Sequence, residues 1–130
     1  MRFFIDRDLG KKLGHALRAV GIAVVIHIER YPSADAESIH DARWIQEATA
    51  AGEVILTRDS RVHRRRTAEL AAIVGANARG FVLETGNAKP LTYLRALMIA
   101  WPRIERIVAD EPAPYMYGVS AKGRLVRRYP

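Results

Sequence analysis

Apolar and polar positions switch between two periods along the chain, and each switch marks an element. Phe3-Phe4-Ile5 is a short apolar run, after which Leu9, Leu13, Ala16, Leu17 and Val20 recur at helical spacing until Gly21, a residue suited to a helix C-cap. A strand followed by a helix is predicted. Ile22 to Ile28 is a run rich in β-branched residues, the composition of a strand buried on both faces, and such strands belong to parallel sheets covered by helices. Glu29 to His40 carries Pro32, Ser33 and several acids without an apolar period, which predicts a long exposed loop. Asp41 then opens a helix through Trp44, Ile45, Ala48 and Ala51 that Gly52 ends, and Val54 to Thr57 is a third strand with Asp59 just beyond it.

Further on, Thr67 is a candidate N-cap with Glu69 and Leu70 in the first turn, Gly75 is the expected stop, and Gly80 to Glu84 is a fourth strand. Thr85-Gly86-Asn87 is a turn. Pro90 suits the first turn of a helix whose apolar stripe is Leu91, Leu94, Leu97, Met98 and Trp101, and Pro102 is expected to kink or restart that helix. Tyr115 to Val119 and Arg124 to Arg128, joined by Ser120-Ala121-Lys122-Gly123, predict an antiparallel hairpin at a sheet edge. No repeat, low-complexity tract or linker interrupts the alternation. It predicts one domain over residues 1–130: a three-layer α/β/α sandwich around a mainly parallel central sheet.

Composition narrows the classes of function. With 49% hydrophobic residues in 130, the chain has enough apolar surface for a core, which excludes a disordered tail protein. The absence of cysteine removes disulfides, thiolate zinc sites and cysteine nucleophiles, and it points to a reducing, cytoplasmic setting. The first apolar run stops at Asp6, too soon for a signal-peptide core, and no stretch approaches the ~18 apolar residues of a membrane span. Lys and Arg outnumber Asp and Glu by 21 to 14, a net charge of +7 that favours polyanionic partners.

In open parallel sheets, ligands bind outside the carboxyl ends of the strands. Aspartates crowd those positions: Asp6 and Asp8 after the first strand, Asp59 after the third, and Asp41 at the start of the helix leading into the third. Each alone is accounted for as a helix cap. Jointly they form a set of oxygen donors at one sheet edge, the chemistry that Mg2+ or Mn2+ requires. Two carboxylates ~4 Å apart repel by about 4 kcal/mol at an effective dielectric of 20, so a divalent cation or a shared proton has a cost to relieve.

The segment Phe3-Phe4-Ile5-Asp6-Arg7-Asp8-Leu9-Gly10, and the stretch from Asp41 through Trp44 to Val54-Ile55-Leu56-Thr57-Arg58-Asp59, resemble the two motifs of the PIN-like ribonucleases, in particular the short toxins of the VapC kind. The resemblance covers about Met1 to Asp59. It implies a metal-dependent ribonuclease with Asp6, Asp41 and Asp59 as catalytic, metal-holding acids, Asp8 as an accessory ligand and Thr57 as a hydroxyl behind them. It further implies Mg2+ or Mn2+ as cofactor, RNA as substrate, a cognate antitoxin as partner, and it makes a homodimer plausible. Larger members carry a glutamate on a helix between the two motifs. Here Glu37 is the nearest substitute, and Glu84 is either a further site acid or an ordinary surface acid near a turn.

Cations stand beside these acids. Arg58, Arg61, His63, Arg64, Arg65 and Arg66 follow the third strand, and Arg7, Lys11 and Lys12 adjoin the first acidic pair. They form either a solvated face or a surface that holds an RNA backbone. Lys122, Arg124, Arg127 and Arg128 suit the protection of an edge strand. His15, His27, His40 and His63 lack zinc-ligand spacing, and no glycine motif cradles a nucleotide. Trp44 and Trp101 fall on apolar helix faces, where core or dimer packing is expected. A nucleic-acid-binding module that cleaves nothing is the alternative to the nuclease. A receiver-like domain phosphorylated on Asp59 fits less well, because the arginines after it have no role there.

Overall fold

The computed structural model describes residues 1–32, 41–58 and 71–129, with Asp41 described as a helical residue but without its side chain. In chain order the elements are β1 (Phe3–Ile5), a 3-10 turn (Arg7–Leu9), α1 (Lys11–Ala19), β2 (Val24–Ile26), α2 (His27–Arg30), α3 (Asp41–Ala50) and β3 (Val54–Arg58). Helical residues 71–76, here α4, precede β4 (Arg79–Leu83), α5 (Pro90–Asp110), β5 (Tyr115–Val119) and β6 (Leu125–Tyr129).

The strands form one six-stranded sheet in the order β2-β1-β3-β4-β5-β6. The pairs from β2 to β5 are parallel, and β6 returns antiparallel along β5. Strand alternation sends side chains to two faces. Phe3, Ile5, Val54, Leu56, Phe81, Leu83, Tyr115, Tyr117 and Val119 pack with α1 and α5. Phe4, Ile55, Val82 and Met116 pack with Trp44 and Ile45 of α3 and Ile73 of α4. The α/β/α layering and the edge hairpin match the sequence expectation.

Several boundaries differ, for physical reasons. The strand expected over Ile22 to Ile28 is limited to Val24–Ile26, because the Glu29 carboxylate accepts the Ile26 N–H at 3.0 Å and turns the chain into α2. His27 is therefore a buried helical residue against the rings of Phe4 and Tyr31, and the expected loop begins later, with residues 33–40 outside the described ones. Gly75 lies inside α4; the stop is Asn77, whose φ of 58° takes the left-handed conformation that asparagine tolerates. Pro102 neither ends nor restarts α5. It sits on the exposed side, where water can serve the Met98 carbonyl that it leaves without a helical N–H.

One charged group deep in the fold has no sequence signature. Glu53, 1% exposed before β3, accepts two hydrogen bonds of 2.6 Å from Arg30 and pairs with Arg2 at 3.1 Å. It ties α2 and β1 to β3 at the amino edge of the sheet, opposite the edge that carries Asp6.

Candidate metal and nucleic-acid site

The register of β1 on β3 builds the center of this edge. Ile5 stands beside Leu56, and the Asp6 amide donates to the Leu56 carbonyl at 3.0 Å, so the ladder carries Asp6 one step past the strand. The Asp6 carbonyl then accepts the Leu9 amide at 3.1 Å, which closes the turn holding Asp8, and Gly10, at φ 78°, lets the chain break from that turn into α1. By alternation Asp6 and Thr57 follow Phe4 and Ile55 onto the α3 face. There the Thr57 hydroxyl donates to Asp6 Oδ2 at 2.8 Å, with both residues buried. A carboxylate out of water is costly unless hydrogen-bonded, and Thr57 meets part of that need.

The Trp44 ring stacks on Phe4 with centroids 5.4 Å apart, which fixes α3 on this same face. Since α3 leads into β3, its first residue, Asp41, lies at the carboxyl edge with Asp6; its side chain is outside the described residues. So are Asp59, Glu37, Arg61, Arg64 and Arg65. Arg7 and Lys11 are described and exposed, flanking Asp8 on the turn and at the start of α1.

Glu84 is not an ordinary surface acid. Its carboxylate accepts hydrogen bonds from Arg128 Nε and Nη2, the shortest 2.8 Å, and its amide donates to the Val119 carbonyl at 2.8 Å. The side chain lies across Gly118, where any Cβ would overlap the carboxylate. Glu84 thus links β4 to β6 over an intervening strand. That role also corrects the expectation for Arg128, an ion-pair partner rather than merely a charge guarding an edge.

Arg58 is the last residue of β3, and alternation sends it to the α5 face, away from Thr57. Its Nη1 donates to Asn87 Oδ1 at 3.0 Å, while its Nε is buried with no acceptor among the described residues. Asn87 carried no signal in the sequence beyond belonging to a turn. That turn is itself held: Tyr93 donates its hydroxyl to the Gly86 carbonyl at 3.3 Å and accepts the Ala88 amide at 3.0 Å.

The donor chemistry at Asp6 and Thr57 is all oxygen, which fits a hard divalent cation such as Mg2+ or Mn2+ and not a soft or thiolate-preferring one. Among the described residues, no three histidine, cysteine, aspartate or glutamate side chains converge to hold a metal. Among the same residues no helix is long and apolar enough to cross a membrane.

A mostly parallel sheet with its acids at the carboxyl edge of β1 and at the start of α3 defines the class of protein. Residues 1–85 match the family described as PIN like domain, and the chain belongs to that family. It is also 26% identical over 117 residues to the protein named "Putative ribonuclease VapC45" from Mycobacterium tuberculosis (strain ATCC 25618 / H37Rv), an alignment covering 89% of this chain and 83% of the relative. No solved structure gives a significant match.

Proposed function

We propose that this chain is a divalent-metal-dependent ribonuclease that acts as the toxin of a toxin–antitoxin pair. The observation that carries the reading is the buried Asp6 carboxylate, held by Thr57 at the carboxyl edge of a PIN-like sheet. The relative's name, a putative ribonuclease, supports RNA as the substrate, and the resemblance of the two motifs to the VapC-type toxins implies a protein antitoxin as the partner. A homodimer in the cytoplasm belongs to the same reading.

In this reading Asp6, Asp41 and Asp59 hold Mg2+ or Mn2+, with Asp8 as an accessory ligand. When bound, such an ion lowers the pKa of a coordinated water and offsets charge on a phosphoryl oxygen. The chain's own residues supply the rest. Thr57 fixes the direction of one Asp6 oxygen, so the carboxylate needs little reorganisation on binding. Arg7, Lys11 and Arg58, with Arg61, Arg64 and Arg65 further along, hold the RNA backbone by charge-assisted hydrogen bonds and keep the phosphodiester in place for in-line attack.

The test is cleavage of RNA by purified full-length protein, with and without Mg2+ or Mn2+, for wild type, Asp6→Asn and Asp59→Asn. Metal-dependent cleavage lost in both variants is expected. Retained cleavage by Asp59→Asn removes that residue from the chemistry. RNA binding without cleavage by wild type under every metal tested would leave the alternative, a binding module with the nuclease fold.

A further inference from the structure

We propose that Arg58 is a station for a non-scissile phosphate of the RNA, and that Asn87 is the positioning residue that sets its guanidinium for that task. This inference rests on the ribonuclease reading and extends it to a second point along the substrate.

Three observations meet here. First, β3 delivers two consecutive residues to opposite sides of the sheet rim: Thr57 to the Asp6 side and Arg58 to the α5 side. An RNA strand whose scissile phosphate lies at Asp6 and which crosses the rim at β3 brings a neighbouring phosphate over Arg58. Second, among the described residues the Arg58 guanidinium is fastened at one end. Asn87 Oδ1 takes Nη1 at 3.0 Å, while Nε is shielded from solvent and meets no acceptor among them. A buried donor without a partner is uncommon and points to an absent acceptor, and a turn of the side chain about its Asn87 anchor would bring Nε and Nη2 side by side before two oxygens of one phosphate. Third, the fastening is itself preorganised. Asn87 belongs to a turn that Tyr93 secures from inside α5 through Gly86 and Ala88, so the acceptor that holds Arg58 stays in place without ligand. A free arginine on a strand end would have to give up side-chain freedom on binding RNA; this one has already lost part of it.

A phosphate that does not react is felt in binding rather than in the chemical step. Asn87→Ala should therefore raise the KM for RNA about 3- to 10-fold and leave kcat within about twofold. Binding of a single-stranded oligoribonucleotide to the full chain, with chelator present to prevent cleavage, supplies the second readout. Arg58→Ala should lower the slope of log affinity against log salt by about 0.7, the value for one phosphate on a single strand. Asn87→Asp keeps the acceptor but sets a negative charge against the guanidinium, and it should lower the slope in the same way. In the double-mutant cycle, Asn87→Ala should cost nothing further once Arg58 is alanine.

Equal losses from Asn87→Ala with and without Arg58 would overturn the positioning role, as would a fall in kcat at unchanged KM, which would put Arg58 on the reacting phosphate. Coupled losses in binding, with no cleavage by wild type, would sustain the station while the nuclease reading fails. Cleavage by wild type without coupling would do the reverse. A wild type that binds no RNA refutes both.

Discussion

Thr57 shows how one side chain can decide the state of another. Buried at the end of β3, it gives its only proton to Asp6, a carboxylate 5% exposed. Thr57→Val keeps the shape and deletes a hydrogen bond to a charged group, at a cost of about 1.5–3 kcal/mol. Thermal melts should show Thr57→Val several degrees lower and Thr57→Ser largely restored; under the proposed chemistry, cleavage by the valine variant should fall about 10- to 100-fold. Glu29 offers a test with a definite sign. The bidentate hydrogen bonds from Arg18, and after them the Ile26 amide, hold its pKa down to about 2. A lowered carboxylate pKa stabilises the fold above the unfolded value of about 4.3, and the contribution disappears as pH falls through the folded value. The melting-temperature gap between wild type and Glu29→Gln should therefore be full at pH 7, shrink below about pH 4.3 and vanish near pH 2. With the Glu29 side chain 42% exposed, the gap should be small and should narrow in high salt. Asp6 and Thr57 were legible in the chain because they close short motifs at strand ends. Asn87 and Glu53 were not: their partners are 29 and 23 positions away, and hydrophobic periodicity carries no information about a polar pair at that range.

Elements that obey a period were visible, and the misjudged ones are those where a side chain overrode it. Val24–Ile26 and Val54–Arg58 are apolar runs bounded by turn residues, so both strands could be located. α2 hides inside a β-branched run because a single carboxylate, Glu29, caps it. The fit of α1 on β2 yields a prediction that opposes helix propensity. Gly14 lies on the buried face of α1, and a Cβ there would overlap the side chain of Ile26. Propensity alone favours Gly14→Ala by about 0.8–1 kcal/mol. Overpacking typically costs 1–3 kcal/mol, so the net effect should be destabilising, about 1 kcal/mol in denaturant melts. Gly14→Ala combined with Ile26→Val, which removes the overlapping terminal methyl, should recover part of the loss. An alanine variant more stable than wild type would mean that α1 shifts on the sheet at little cost.

At the scale of the molecule, the sheet order brings Asp6, Asp8 and the start of α3 to one edge, with the exposed Arg7 and Lys11 beside the first two. Like charges at that edge oppose folding until something neutralises them. If Asp6, Asp41 and Asp59 bind one cation that the unfolded chain does not, a hundredfold excess over Kd stabilises by about 2.7 kcal/mol. Mg2+ or Mn2+ should raise the melting temperature by several degrees, Na+ at matched ionic strength should not, and Asp59→Asn should abolish the shift. The strand-helix alternation made this architecture readable before any coordinates, and the match to the PIN-like family agrees with it. The cross-strand locks were unreadable. Glu84 and Arg128 are 44 positions apart and meet only because Gly118 leaves room between them.

The pairing of β1 with β3, rather than with β2 alone, also sets a clock on the chain during its synthesis. Asp6 and Thr57 are separated by 51 positions. A ribosome adding about 5–20 residues each second needs roughly 3–10 s to pass from one to the other. Until then the nascent chain holds β1, α1, β2, α2 and α3, and Asp6 has yet to receive the Thr57 hydroxyl. The Asp6–Thr57 pair is therefore a late event of synthesis, complete only once the third strand has emerged and docked.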